Sequence, residues 1–199
     1  MNRFAKYAVM LIAAAWLTAP ALTHAADWRI DPTHTTVSFK VRHLGVTWVQ
    51  GEFQRVSGTV RYDRKNPGAS AADIVIDADS INTRNARRDN HLRNDDFLLV
   101  EKHPTIKFKS KSVKNAGAEG LDLVGDLTIR GVTKEVVLKV ADISGEVKTR
   151  RGTVKMGASA TTRINRKDFG VKYNRLLDAG GLVVGNEVRI TIDVELNKL

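Results

Sequence analysis

Apolar and polar residues alternate with a period of two along most of this chain. The clearest run is Val188, Ile190, Ile192, Val194 and Leu196, interleaved with Arg189, Thr191, Asp193 and Glu195. Successive strand side chains point to opposite faces, so this run predicts a strand with one dry and one wet face. Val37, Phe39 and Val41 repeat the pattern near the start. Ile74 with Ile76, Leu121 to Ile129, Val136 to Val140, and Val154 with Met156 continue it. Counting such segments predicts about eight strands. Turn-forming residues separate them at Asn66-Pro67-Gly68, Asn115-Ala116-Gly117, Arg130-Gly131, Arg151-Gly152 and Gly185-Asn186. Connections this short favour antiparallel neighbours. The prediction is one all-β domain, and alternation alone fits a sandwich as well as a closed barrel.

Two stretches break the alternation. Residues 83–104, TRNARRDNHLRNDDFLLVEKHP, are rich in Arg, Asn and Asp, with Leu92, Phe97 and Leu98 at near-helical spacing. They predict a loop with a short helix, ended by Pro104. Asp89 with Arg93, and His91 with Asp95, stand four apart and would share a helix face. Residues 165–187 are long for a hairpin loop in so regular a chain and predict a lid or mouth.

The N-terminus reads as an address. Arg3 and Lys6 precede an apolar run from Val9 to Leu17, and Thr23-His24-Ala25 supplies a small-residue cleavage site, which predicts a signal peptide over 1–25 cut after Ala25. The apolar run is short for a bilayer, and no later stretch approaches the roughly 20 residues that a spanning helix needs. The expected product is exported, with residues 26–199 forming the domain. Without cysteine, thiol chemistry and cysteine-ligated metal are excluded, and stability rests on packing.

The chain carries 32 Lys and Arg against 22 Asp and Glu. The leader removes two basic residues, so the net charge of +10 becomes +8 in the remainder. An exported protein rarely meets nucleic acid, which makes anionic lipid head groups the expected neighbours. The charges are scattered, and Lys107, Lys109 and Lys111 alternate with Ile106, Phe108 and Ser110 as on the wet face of a strand.

Sites for chemistry are sparse. His34, His43, His91 and His103 show neither His-x-His nor His-x-x-x-His spacing, and a zinc or copper site wants at least three converging ligands. No metal and no cofactor is expected. No nucleophile elbow, cysteine nucleophile or zinc-protease helix occurs either, so no catalytic residues are assigned. A container remains: a barrel of about eight strands is either just filled by its side chains or holds one small apolar ligand. The candidate wall is Phe39, Val41, Phe53, Ile76, Phe108, Leu123, Leu127, Leu138, Met156 and Ile190; the same residues would also serve as an ordinary core.

Four motifs, in order, narrow these choices: DPTHTTVSFKVRHLGVTWVQGEF (31–53), DNHLRNDDFLLVEKHPTIKFKS (89–110), GDLTIRGVTKEVVLKV (125–140) and NRKDFGV (165–171). Together they strongly resemble the YceI-like family, over about Trp28 to Leu196. The resemblance implies an exported, lipocalin-like antiparallel barrel that holds a polyisoprenoid, an isoprenoid quinone or a similar fatty chain without catalysis. It implies that 31–53 is a strand, a bend at Leu44-Gly45 and a return strand, that His34 fixes a barrel end, and that His43, near the bend, touches a polar head group. Arg84, Arg87, Arg88 and Arg93 would meet a diphosphate head or an anionic membrane, or else pair with Asp89, Asp95 and Asp96. The expected partner is an isoprenoid or fatty lipid, with homodimerisation left open. The competing expectation is a filled barrel that works through its surface.

Overall fold

The structure, a computed structural model, describes residues 26–117, 119–174 and 182–199. The leader assigned to 1–25 lies outside the described residues. The strands are β1 (Ala26–Ile30), β2 (Thr36–His43), β3 (Thr47–Phe53), β4 (Val56–Tyr62), β5 (Ala71–Asp77), β6 (Ile81–Asn82), β7 (Thr105–Gly117), β8 (Gly120–Ile129), β9 (Val132–Ala141), β10 (Val147–Lys148), β11 (Val154–Asn165) and β12 (Val184–Lys198); helix α1 is Ala86–Arg93.

These segments close into an antiparallel barrel of eight strands. β1 and β2 lie end to end along β12, with Ile30 opposite Leu196 and Val37 opposite Ile192. β3 and β4 form the next barrel strand and β5 and β6 the third, followed by β7, β8, β9, β11 and β12. β12 closes the ring by pairing with β11 from Lys155↔Asn197 to Asn165↔Glu187. Closure through the β11–β12 ladder selects the barrel over the sandwich.

The breaks in the first three barrel strands have local causes. Pro32 has no backbone N–H to give to a ladder, and the Asp31 carboxylate accepts the Thr33 N–H at 3.0 Å, which turns the chain there. Ser80, at the end of a 3₁₀ turn over Ala78–Ser80, accepts the N–H groups of Gln54 and Arg55 and so links the second break to the third. The tight hairpins are equally readable. Arg130-Gly131, with φ of 50° and 74°, is the left-handed pair that matches the twist of a two-residue β-hairpin between Ile129 and Val132; Leu44-Gly45 has a similar pair, 55° and 70°, in a three-residue connection between His43 and Thr47.

Two predicted turns come out differently. β7 continues as strand through Asn115 to Gly117, with register shifts after Ser110 and after Lys114. Gly185-Asn186 lies within β12, where the pairing with β2 shifts register between Val184 and Val188. A bulge, like a turn, interrupts the alternation, which is why the two look alike in sequence. The wet faces are as expected: Lys109 pairs with Asp73, and Lys111 with Asp126 and Glu135, all on exposed faces.

The 83–104 stretch and the described parts of 165–187 fall at one end of the barrel; residues 175–181 of the expected lid or mouth lie outside the described residues. By the strand directions, this loop end carries the β2–β3 hairpin, the 83–104 segment with α1, the Arg130-Gly131 turn and the chain from Arg166 toward β12. Residues 26 and 198 lie at the other end, where Leu199 N–H donates to the Asp27 carbonyl.

Candidate functional site: an apolar lumen

The barrel is not filled. Its axis holds a cavity of about 490 Å³ lined almost wholly by aliphatic and aromatic side chains. The cause lies in the inward residues: most are Val, Ile, Leu or Ala, too short to meet across an eight-stranded ring. All ten wall residues expected from alternation border this cavity, as does His43. They divide in a way the sequence did not indicate. Phe108, Leu123, Leu127 and Met156 are buried in packed clusters with Ile106, Leu121, Trp28 and Leu196. Phe39, Val41, His43, Phe53, Ile76, Leu138 and Ile190 keep part of their surface exposed although they face inward. The first group is core; the second is only partly covered, with Phe53, Ile76 and Leu138 packed along the edge of that core and the remaining surface of the group facing the cavity.

Close approaches shape the β2–β3 wall. Phe39 sits opposite Gly51 across the β2–β3 ladder, and a Cβ added at Gly51 would come within 2.5 Å of the Phe39 ring. Glycine therefore lets the ring lie against the wall instead of projecting into the lumen. Phe53 packs beside it, ring centroids 5.7 Å apart.

The two irregular segments meet at the loop end. His91 from α1, Phe97 and Tyr173 form a triad of rings with centroid separations of 5.0–5.1 Å, and all three border the lumen. Leu92 and Leu98 join them, with the Leu98 N–H donating to the Leu92 carbonyl. His91 Nε2 meets Asp96 at 2.8 Å. The expected partner four residues on, Asp95, is displaced because the helix ends at Arg93 and the following turn brings Asp96 across instead.

The expected basic contacts need correction at two positions. Arg88 donates to the hydroxyl and carbonyl of Thr83, each at 2.7 Å. Buried Asp89 accepts the Thr83 N–H and hydroxyl rather than pairing with Arg93. Arg93 instead meets the Asp79 carboxylate and the Asp79 and Ile81 carbonyls. These contacts fasten α1 to the barrel rim. Arg84 and Arg87 are exposed.

Arg166 was overlooked in the sequence. It is 5 % exposed and borders the lumen at the loop end, yet its guanidinium faces four carbonyls, of Val171, Tyr173, Val184 and Gly185, at 2.7–3.1 Å. No carboxylate pairs with it among the described residues, and burial pushes its pKa down from the ordinary arginine value. The rigid five-donor fork of arginine suits such a cluster of acceptors. It joins the two arms of the 165–187 segment and leaves an uncompensated positive charge at one end of an apolar cavity. It stands beside Lys167 in the NRKDFGV run, with no periodicity to mark it as buried.

At the β1–β2 break, Asp31, His34 and Glu195 have ligand atoms within 4.8 Å of one another. Lys155 Nζ lies 2.7 Å from Asp31 and 2.5 Å from Glu195, so an ammonium already stands where a cation would sit. Its hydrogen bond, followed by that of His34, holds the Asp31 carboxyl well below the usual carboxylate range; reciprocally, the two carboxylates raise the Lys155 pKa. The cluster is an ionic latch between β1, β11 and β12 at the β1–β2 break.

The same fold recurs among known proteins. A sequence model of the YceI-like domain matches residues 28–196. The chain belongs to the YceI-like family. Protein YceI of Escherichia coli O157:H7 is 41% identical over 173 residues, 86% of each chain. The solved Campylobacter jejuni YCEI protein is 32% identical, with a TM-score of 0.66 over 79% of this chain and 90% of that one. A structure described as a polyisoprenoid binding domain from Saccharophagus degradans shares the fold, with a TM-score of 0.62 over 88% of this chain and all of that one, at 16% identity. In this YceI-like barrel, no described helix is long and apolar enough to cross a membrane.

Proposed function

We propose that this YceI-like protein is a periplasmic carrier that holds a long-chain isoprenoid, such as an isoprenoid quinone or polyprenyl lipid, in its lumen and performs no chemistry on it. The observation that carries this reading is the wall of half-exposed aliphatic side chains around a cavity of about 490 Å³. That size suits a single small ligand, and a lining so poor in polar groups rewards burial of hydrocarbon over any polar substrate. The shared fold of a polyisoprenoid-binding domain supports the same ligand class, and the leader pattern over 1–25 supports export. Phe39, Val41, Phe53, Ile76, Leu138 and Ile190 would contact the tail. The polar head would sit at the loop end, where Arg166, His91, His43 and Tyr173 border the cavity.

The test is a series of quinones with the same head and increasing numbers of isoprene units. Burial of hydrocarbon contributes roughly 0.8 kcal/mol per CH₂, so each unit that enters the lumen should tighten binding by more than about tenfold. The slope should flatten once the lumen is full. Affinity independent of tail length would reject the carrier reading.

A further inference from the structure

The β2–β3 hairpin ends in an unusual tip. Leu44 and Val46 are 41% and 79% exposed, and Val46 is the most exposed of the large apolar residues described. The Leu44 N–H bonds to the Val183 carbonyl at 2.9 Å, so the tip is held by the backbone and not by packing. Just behind it, Trp48 lies on the outer face under two guanidiniums, Arg42 at 4.4 Å and Arg189 at 4.5 Å, with the Lys40 ammonium at 5.5 Å. Arg163 pairs with Arg189 across the β11–β12 ladder. Glu187 is the carboxylate among them and serves both Arg189 and Arg163. Lys40 and Arg42 form no ion pair among the described residues.

We infer that this hairpin docks the protein on an anionic bilayer surface, tip first. The spacing fits the interface. A strand rises about 3.3 Å per residue, so Trp48 and Arg42 sit roughly 7 Å behind Val46 and Leu44. That places two aliphatic chains at the acyl boundary while the Trp ring and the cations reach the head groups, the arrangement of residues that lie in a membrane interface. The shape speaks against a protein partner. A convex tip of two side chains cannot supply the ~800 Å² per side that a stable interface buries, whereas lipids pack around it. Arg84 and Arg87, exposed at the same barrel end, add to the positive field. The lumen wall runs up to His43, Val183 and Val184 directly beneath the hairpin, so docking would bring the loop end of the barrel against the lipid. This purpose rests on the carrier reading; the docking geometry does not.

The test expresses the protein from its full sequence, establishes its N-terminus by intact mass, and sediments it with phosphatidylcholine vesicles with and without phosphatidylglycerol. Association should require phosphatidylglycerol and weaken with salt. Leu44→Ser with Val46→Ser should lower partitioning at least about tenfold, and Lys40→Gln roughly fivefold, with unchanged melting temperatures because Leu44 and Val46 are exposed and Lys40 forms no ion pair among the described residues. Arg42→Gln should have the same roughly fivefold effect at some cost in stability, since Arg42 donates to the Val46 carbonyl and stacks on Trp48. Failure of the parent to sediment with anionic vesicles, equal sedimentation with neutral ones, or a tip variant that partitions like the parent would overturn the inference. So would a concentration-dependent dimer that the tip variant abolishes without any vesicle association, which would make the tip a self-interface. Quinone uptake in vesicle-free solution, measured on the same samples, separates the two readings. Its absence in the parent removes the carrier and leaves docking standing; its persistence in a tip variant that no longer sediments is the expected result.

Discussion

Replacing Ile190 with Asp puts a carboxylate where a bound tail would lie. Ile190 is central on β12, opposite Phe39 of β2 and Thr162 of β11, and its inward face borders the cavity. In the lipid-free protein water can reach that face, so the substitution should cost the fold only about 1–3 kcal/mol in lost apolar contact. A tail that fills the lumen strips the carboxylate of water, and an unpaired buried charge costs several kcal/mol. Protonation caps the penalty. At pH 7, about three units above an ordinary aspartate pKa and at 1.36 kcal/mol per unit, neutralising the group costs about 4 kcal/mol. Uptake should therefore fall about a thousandfold at pH 7, and the defect should shrink about tenfold per unit as the pH drops toward 4. Ile190→Val should bind within about threefold of the parent, since it removes a single methylene. The assay is equilibrium titration with a prenylated quinone, separating bound from free by gel filtration, beside a melting curve for each variant. A folded Ile190→Asp protein that binds like the parent at pH 7, or whose defect ignores pH, would show that the tail does not lie against β12.

Three further outcomes follow from the geometry. Arg166→Ala should destabilise the protein by more than about 3 kcal/mol in chemical denaturation because it orphans four carbonyls, and Arg166→Lys should rescue little of this because an ammonium cannot reach all four; a loss under about 1 kcal/mol would contradict the clamp. The Asp31 carboxyl has a folded pKa held below its unfolded value by Lys155 and then His34. Its stabilisation is present above the unfolded pKa near 3.9 and is lost as the pH falls below that toward the folded pKa. Asp31→Asn should flatten the acid side of the stability curve below about pH 4, and an equally steep curve would count against the latch. Gly51→Ala should push the Phe39 ring off the wall into the lumen, costing about 1–3 kcal/mol of stability and weakening quinone uptake; unchanged values in both would mean that the ring has room elsewhere.

Much of the barrel was legible because a strand with one dry face writes its period directly into the chain. Val188 to Leu196, Leu121 to Ile129 and Val37 to Val41 are strands as read, and apart from Val124 their apolar residues border the lumen. Periodicity fixes the face but not what stands opposite. It could not distinguish Leu127, packed in a cluster, from Ile190, which faces open space, since both alternate equally well. Nor could it separate the bulge at Gly185-Asn186 from a turn. Long-range polar pairing was invisible for a similar reason. Asp31 and Lys155 stand 124 residues apart and meet only because β12 brings β1 and β11 to the same level. Arg88 and Arg93 were expected to meet a head group or to pair with Asp89, Asp95 and Asp96, whereas the fold brings Thr83 and Asp79 within reach of them. The bend at Leu44-Gly45 was legible, but not that Leu44 and Val46 stand exposed at its tip.

The most direct measurement is to recover the protein from the periplasmic fraction without detergent, extract it with organic solvent and identify what it carries by mass spectrometry. A prenylated quinone or polyprenyl lipid at near one molecule per chain is the expected result. An empty extract, together with no uptake of added prenylated quinone, would contradict it and leave the lumen without a lipid.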